Sequence, residues 1–266
     1  MKKLAKKLYF VSLLKKLSMK KIVLIIIFTV QLSSIIWAQK VTVVVAANAQ
    51  YAMKEVEKQY EAETGKEIEL IIGSSGKLAA QIKEGAPFDI FLSADMEYPQ
   101  TLSKEGFAVY EPKIYGYGSL VLWTLKEFNL SDINILLLPE IKAIAIANPK
   151  LAPYGEAAVA VMNYYKIYEK VQSKLVYGES ISQVNQYINS KTADIGFTAK
   201  SVVLSPEMKD KGKWIEVDKK AYSPIAQGAI LLKSSKDRNG VDAELFYNYL
   251  YSSKAKKVFK NYGYQF

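Results

Sequence analysis

Short apolar runs alternate along this chain with longer stretches whose apolar positions recur every three or four residues. Residues 41–47 are apolar except for Thr42, the pattern of a strand buried on both faces of a parallel sheet. Residues 49–63 then place Ala49, Ala52, Met53, Val56 and Tyr60 on one side of a helix that Thr64-Gly65 stops. Residues 68–72 form a second apolar run. Gly73-Ser74-Ser75-Gly76 is a small-residue turn, and Leu78, Ala79 and Ile82 resume the helical spacing. The same reading gives a strand at 89–93, a helix at 95–105 and strands at 117–124 and 143–147. A long helix at 154–170 enters through Pro153, a residue suited to a helix start. Strands follow at 174–177, 194–198, 214–217 and 225–232. Helices follow at 183–189, 241–250 and 253–262. Residues 129–140 fit neither period.

Strands and helices alternate throughout, which predicts a doubly wound α/β architecture. No Pro-, Gly- or Ser-rich linker separates two halves. A chain that passes twice between two lobes has this property, and the passages fall near 115–117 and 221–226. The division is then 39–116 plus 222–266 for lobe 1 and 117–221 for lobe 2.

Composition changes the picture only after the N-terminus is set aside. Met19-Lys20-Lys21 leads into an apolar run at 22–30. Polar residues 31–34 and Ile35-Ile36-Trp37-Ala38 follow. A basic start, a short apolar core and a small residue before a polar one form a secretory signal peptide, expected to be removed after Ala38. Residues 1–38 carry eight of the 36 basic residues and no acid. What remains is 28 basic against 26 acidic residues, a net charge of +2 rather than +10. Nucleic-acid binding thereby loses its electrostatic support. The chain has no Cys and no His, which excludes thiol chemistry, a disulfide scaffold and lipid attachment at cysteine. It also removes the commonest transition-metal ligand and general base.

Four strand-to-helix junctions share one chemistry: Asn48; Ser74 and Ser75; Pro153-Tyr154-Gly155; and Gly178 through Ser182. In an open α/β sheet a ligand crevice lies beyond the carboxyl ends of the strands, where helix N-termini present unpaired N–H groups and partial positive charge. Asn, Ser and Tyr add neutral donors. None of these junction residues is Lys or Arg, and Glu179 is the single acid. Donors without a counter-charge suit a small, fully deprotonated anion. Phosphate near neutral pH carries a proton and needs an acceptor, for which Asp89 and Glu179 are the candidates.

The segments Val43-Val44-Val45-Ala46-Ala47-Asn48, Gly73 through Ile82, and Gly85-Ala86-Pro87-Phe88-Asp89-Ile90-Phe91-Leu92-Ser93-Ala94-Asp95 resemble the periplasmic molybdate-binding proteins of ABC transporters. Ala147-Asn148-Pro149 and Ala152-Pro153-Tyr154-Gly155 extend the resemblance, which runs over residues 40–266. It implies a two-lobed type II periplasmic-binding-protein fold. Each lobe is expected to be a mostly parallel, doubly wound sheet flanked by helices, and the pair to close on a tetrahedral oxyanion. It implies Asn48, Ser75, Tyr154 and the Ile181 backbone N–H as ligands, with Ala47 and Ser74 as additional ones. These would reach the metal only through the oxygens of molybdate or tungstate. Some relatives place a Tyr ligand after the strand at 194–198, where this chain has Ala199. The resemblance further implies a soluble periplasmic monomer, no enzyme activity and no cofactor, delivering its anion to an inner-membrane permease.

Each of these residues also has a plainer reading. Asn48 and Ser75 suit helix caps, Tyr154 a surface aromatic, and Asp89 and Asp95 turn and helix caps. Tyr164-Tyr165 resembles an iron-binding tyrosine pair but falls mid-helix, where packing accounts for it. The alternatives are a ferric-iron, sulfate or phosphate binding protein, or an enzyme on the same fold. Lacking Cys and His, an enzyme would depend on Lys77 beside Ser74 and Ser75.

Overall fold

The structure is a computed structural model that describes residues 40–266. Residues 1–38, expected to be a signal peptide, lie outside the described residues. Ten strands form two five-stranded sheets. The first has the order β2 (Ile68–Gly73), β1 (Val41–Ala46), β3 (Ile90–Leu92), β10 (Ile225–Leu231) and β4 (Lys113–Gly118). The second has the order β7 (Leu175–Gly178), β6 (Ile144–Ala147), β8 (Ile195–Ala199), β5 (Leu120–Thr124) and β9 (Lys213–Glu216). In each sheet four strands run in one direction and one, β10 in the first and β5 in the second, runs against them beside the edge strand. This is the two-lobed α/β architecture expected from the alternation of strands and helices.

The β1 run is buried throughout because helices cover both faces of its sheet. Val43 and Val45 pack against Met53, Val56, Phe246 and Phe259. Val44 points the other way, toward Leu78, Ile82, Phe91 and Ile230. Successive side chains of a strand alternate faces, so an unbroken apolar run fills two half-cores at once. In the second sheet β5, β6 and β8 are likewise wholly buried, around Trp123, Phe197 and Ile146.

Two sequence expectations change. Residues 117–124 are two strands rather than one. β4 ends at Gly118 in the first sheet and β5 begins at Leu120 in the second, so the chain changes sheets at the buried Ser119. Apolar pattern alone cannot report that hand-over, because both strands have partners. The long helix expected at 154–170 stops at Tyr164 and a short helix, Tyr168–Val171, follows. Lys166 adopts a left-handed φ of 56°. The Ile167 N–H donates to the Met162 carbonyl and the Lys166 N–H to the Asn163 carbonyl, each at 2.9 Å. This is a Schellman-type ending made without the usual glycine, so the stop leaves no mark in the composition. The ambiguous stretch contains a 3-10 turn, Ile133–Leu137, capped by the Asp132 carboxylate.

Candidate functional site

The parallel strands of both sheets point their carboxyl ends at one another. β1 delivers Ala47 and Asn48 in the 3-10 turn Ala47–Ala49, and the helix Gln50–Thr64 follows. β2 ends at Gly73 and delivers Ser74 and Ser75 at the start of the helix Ser75–Lys83. From the second sheet, β6 leads to the helix Pro153–Tyr164 and β7 to the helix Ile181–Asn189. All six residues expected at the site line one small cavity of about 10 Å³: Ala47, Asn48, Ser74, Ser75, Tyr154 and Ile181. Ala46, Gly73, Ala94, Ala152, Pro153 and Ser180 complete the wall.

Helix geometry explains what this wall offers. The first-turn N–H groups of a helix have no acceptor within it. The turn at Ala47 and the helices at Ser75, Pro153 and Ile181 all begin without a side-chain cap hydrogen bond. The Ser75, Tyr154 and Ile181 N–H groups are therefore available to a ligand, with the positive ends of three helix dipoles behind them, whereas the Gly76 and Gly155 N–H groups already donate to the Leu151 and Ala152 carbonyls. The Ser75 hydroxyl oxygen accepts from the Ala94 N–H at 3.0 Å, which leaves its own proton to donate. The Ser74 hydroxyl is buried without a partner. Tyr154 is fully buried, and burial first, then Tyr264 and Tyr222, push its hydroxyl well above the usual tyrosine range. It stays protonated and is a donor. No Lys or Arg lines the cavity. The wall is thus a set of neutral donors facing a desolvated space, the chemistry of an oxyanion seat.

Asn48 contributes in a way its sequence position did not indicate. Its Nδ2 donates to Gln227 Oε1 at 2.7 Å and to the Tyr264 hydroxyl at 3.3 Å. Its carbonyl accepts from the Ser201 hydroxyl at 2.6 Å. With both amide protons committed, the donor left for an anion is its main-chain N–H. Gln227, Tyr115, Tyr264 and Ser201 were not singled out from the sequence. Gln227 had a legible signal, an amide inside the otherwise apolar run Ile225–Leu231.

The remaining sequence candidates are placed elsewhere. Asp89 sits at the opposite end of the first sheet, where its Oδ2 accepts from the Thr42 N–H at 2.7 Å and faces Arg238 at 3.5 Å. Glu179 does not line the cavity; it pairs with Lys77 at 2.8 Å across the cleft, and both are half-exposed. That ion pair also turns the Lys77 ammonium away from any serine-activating role. Asp95 accepts from the Ser93 hydroxyl at 2.9 Å and the Tyr98 N–H at 3.2 Å. Together with Glu156 it lines a second, larger cavity of about 400 Å³. Two carboxylates make that space unfavourable for an anion, so size does not decide the site. Tyr164 and Tyr165 pack edge-on at 5.2 Å, with Tyr164 exposed on the surface, and neither lines the cavity. Ala199 closes β8 against Leu120.

The cleft is closed. The Gly76 N–H donates to the Leu151 carbonyl at 3.0 Å, and the Ser182 hydroxyl to Gln50 Oε1 at 3.1 Å. A Cβ on Gly76 would lie 2.6 Å from the Tyr98 hydroxyl and 3.2 Å from the Leu151 Cα. The absence of a side chain at Gly76 thus allows the serine loop to meet the second lobe.

Two α/β lobes joined by two passages, with a donor-lined cavity between their strand ends, define a cleft-type solute-binding protein. The chain belongs to the bacterial extracellular solute-binding protein family, whose pattern matches residues 41–265. It is 39% identical over 229 residues to Molybdate-binding protein ModA of Azotobacter vinelandii, covering 85% of this chain and 90% of that one. It is 36% identical over 228 residues to Molybdate-binding protein ModA of Rhodobacter capsulatus, covering 85% and 88%. The solved structure of the Azotobacter vinelandii periplasmic molybdate-binding protein superposes with a TM-score of 0.81 at 32% identity, over 85% of this chain and 99% of that one.

Proposed function

We propose that this chain captures molybdate or tungstate between its two lobes and delivers it to an ABC transporter permease. The observation that carries this reading is the cavity wall. Hydroxyls and first-turn N–H groups from both sheets converge there with no cationic side chain and no carboxylate. A fully deprotonated tetrahedral dianion can accept from every such donor, whereas a protonated phosphate would leave its own O–H facing donors. The relatives named for molybdate support the choice of anion.

Asn48, Ser75, Tyr154 and Ile181 are the ligands in this reading, with Ala47 and Ser74 beside them. The lobe of the first sheet, which includes Tyr117 and Gly118 of β4, and the lobe of the second sheet, entered at Leu120, are the bodies that close, and the anion stabilises the closed arrangement by bonding to both. The protein acts in the periplasm as a monomer after removal of residues 1–38. No helix among the described residues is long and apolar enough to cross a membrane. It releases the anion unchanged, as a carrier rather than an enzyme. Calorimetric titration of the mature chain with molybdate, tungstate, sulfate, phosphate and ferric citrate tests the assignment. One-to-one binding of molybdate and tungstate, far tighter than sulfate, is expected. A preference for sulfate or phosphate overturns it, as does a visible tyrosinate–iron band with ferric citrate.

A further inference from the structure

Gln227 is fully buried at the point where β10 changes register against β4, between Gln227 and Gly228. Such a bulge re-aims a side chain out of the regular alternation of a strand. The Gln227 amide ends beneath the cavity wall, between one residue expected to bind from each lobe. Its Oε1 accepts from the Tyr115 hydroxyl at 2.6 Å and from Asn48 Nδ2 at 2.7 Å. Its Nε2 donates to the Tyr154 hydroxyl oxygen at 3.0 Å. We propose that Gln227 is the positioning residue of the anion seat: its amide oxygen takes the shorter of the two contacts of the Tyr115 hydroxyl, which also faces the Ser93 carbonyl at 3.2 Å, together with the Asn48 amide, its nitrogen donates to Tyr154, and the Tyr154 proton is turned into the cavity.

A tyrosine hydroxyl has one proton and acceptor capacity on its oxygen. An oxygen that already accepts from Gln227 directs its single proton elsewhere, and the cavity is the space that Tyr154 lines. Had the amide the opposite orientation, Tyr154 would donate to Gln227 Oε1 and present a lone pair to the ligand. The orientation of one buried amide thus decides whether the seat is all donors, fit for a deprotonated dianion, or contains an acceptor that tolerates a protonated one. Gly118 supports the arrangement from the far side. A Cβ there would collide with both the Tyr154 hydroxyl and Gln227 Nε2, so the hydrogen bond between them occupies space left by a missing side chain. The site deepens the reading given under Proposed function and rests on it.

The test measures molybdate affinity by calorimetry for the wild type, Gln227→Met, Tyr154→Phe and the double variant, with ligand-free melting recorded for each. Tyr154→Phe removes a donor to a charged oxygen and should weaken binding about ten- to a hundredfold. Gln227→Met should weaken it by a similar factor, and the double variant should be little worse than either single one. Gln227→Glu adds a signature that lost packing alone does not produce. Its carboxylate accepts a hydrogen bond from the Tyr154 hydroxyl at neutral pH and so turns that donor away from the cavity, whereas the neutral carboxylic acid reproduces the donor and acceptor of Gln227. Its affinity should fall at neutral pH and recover toward wild type on acidification. Should Gln227→Met not fold, Gly118→Ala breaks the same contact and replaces it in the cycle. Losses that multiply in the double variant, or no acid recovery in Gln227→Glu, overturn the positioning role while wild-type binding leaves the anion assignment standing. No binding of molybdate or tungstate by the wild type overturns both.

Discussion

Replacing Ser75 by alanine separates a ligand from a cap. The hydroxyl oxygen of Ser75 accepts the N–H of Ala94, a residue only 3% exposed. Its proton is the one assigned to the anion. Alanine removes both at once, and the two losses appear in different measurements. An orphaned buried N–H costs roughly 1–3 kcal/mol of stability. In a domain of this size each kcal/mol moves the melting temperature by about 2–4 °C. The ligand-free variant should therefore melt several degrees lower. A hydrogen bond to a charged acceptor is worth about 1.5–3 kcal/mol, so molybdate affinity should fall about ten- to a hundredfold. Ser74→Ala is the internal control. The Ser74 hydroxyl has no hydrogen-bond partner and caps no N–H, so its removal orphans nothing. Ligand-free stability should change by about 0.5 kcal/mol or less, and affinity should fall less than for Ser75→Ala. Scanning calorimetry and titration calorimetry on the two variants read all four quantities. A Ser75→Ala protein that melts lower but binds molybdate normally would show that Ser75 serves Ala94 alone, and the seat would have to be rebuilt without it.

Other perturbations give equally direct outcomes. The Lys77–Glu179 pair spans the cleft but is half-exposed, a setting worth about 0–1 kcal/mol, so Lys77→Met should change affinity by less than about fivefold; a larger loss would place Lys77 in the seat. Burial raises Asp95 and Glu156, and Asp95 and Glu97 raise Glu156 further. Raised carboxyl groups add stability that is complete below their ordinary values and is lost as the pH rises through the raised ones, so Asp95→Asn should gain most over wild type in melts near pH 8 and least near pH 5. Asp194 has the opposite sign. Burial raises it, but Lys126 and the Ala143 and Lys142 N–H groups outweigh that and hold it below the usual range, so its contribution is present above that range and disappears as acid protonates it. Asp194→Asn should lower the ligand-free melting temperature at neutral pH and leave a smaller difference from wild type in strong acid; equal differences at both pH values would refute the linkage.

The sequence exposed most of the architecture because both sheets are covered on both faces. Runs such as Val41–Ala46 and Ile144–Ala147 are unbroken for that reason and cannot be mistaken for solvent-facing strands. A passage was legible near 115–117, but 117–124 reads as one strand because Gly118 and Leu120 each continue a paired strand, merely in different sheets. The sequence concealed the end of the helix at Tyr164, where Lys166 takes a left-handed turn usually left to glycine. At the site, the residues at strand-to-helix junctions were readable, since their chemistry is local to four short segments. The layer beneath them was not. Gln227 reaches Asn48 and Tyr154 from β10, Tyr115 reaches Gln227 from β4, and Tyr264 reaches Asn48 from the far C-terminus, and only folding brings them together. Gln227 is 179 positions from Asn48.

The proposed function requires a tetrahedral dianion between the helix starts at Ser75, Pro153 and Ile181. A crystal of the mature protein grown with tungstate, with anomalous data collected at a tungsten edge, locates that metal directly. The account predicts one strong peak in the small cavity, with its oxygens within hydrogen-bonding distance of Ser75, Tyr154 and the Asn48 and Ile181 N–H groups. A peak in the larger cavity beside Asp95 and Glu156, or no peak in the cleft at all, would contradict it.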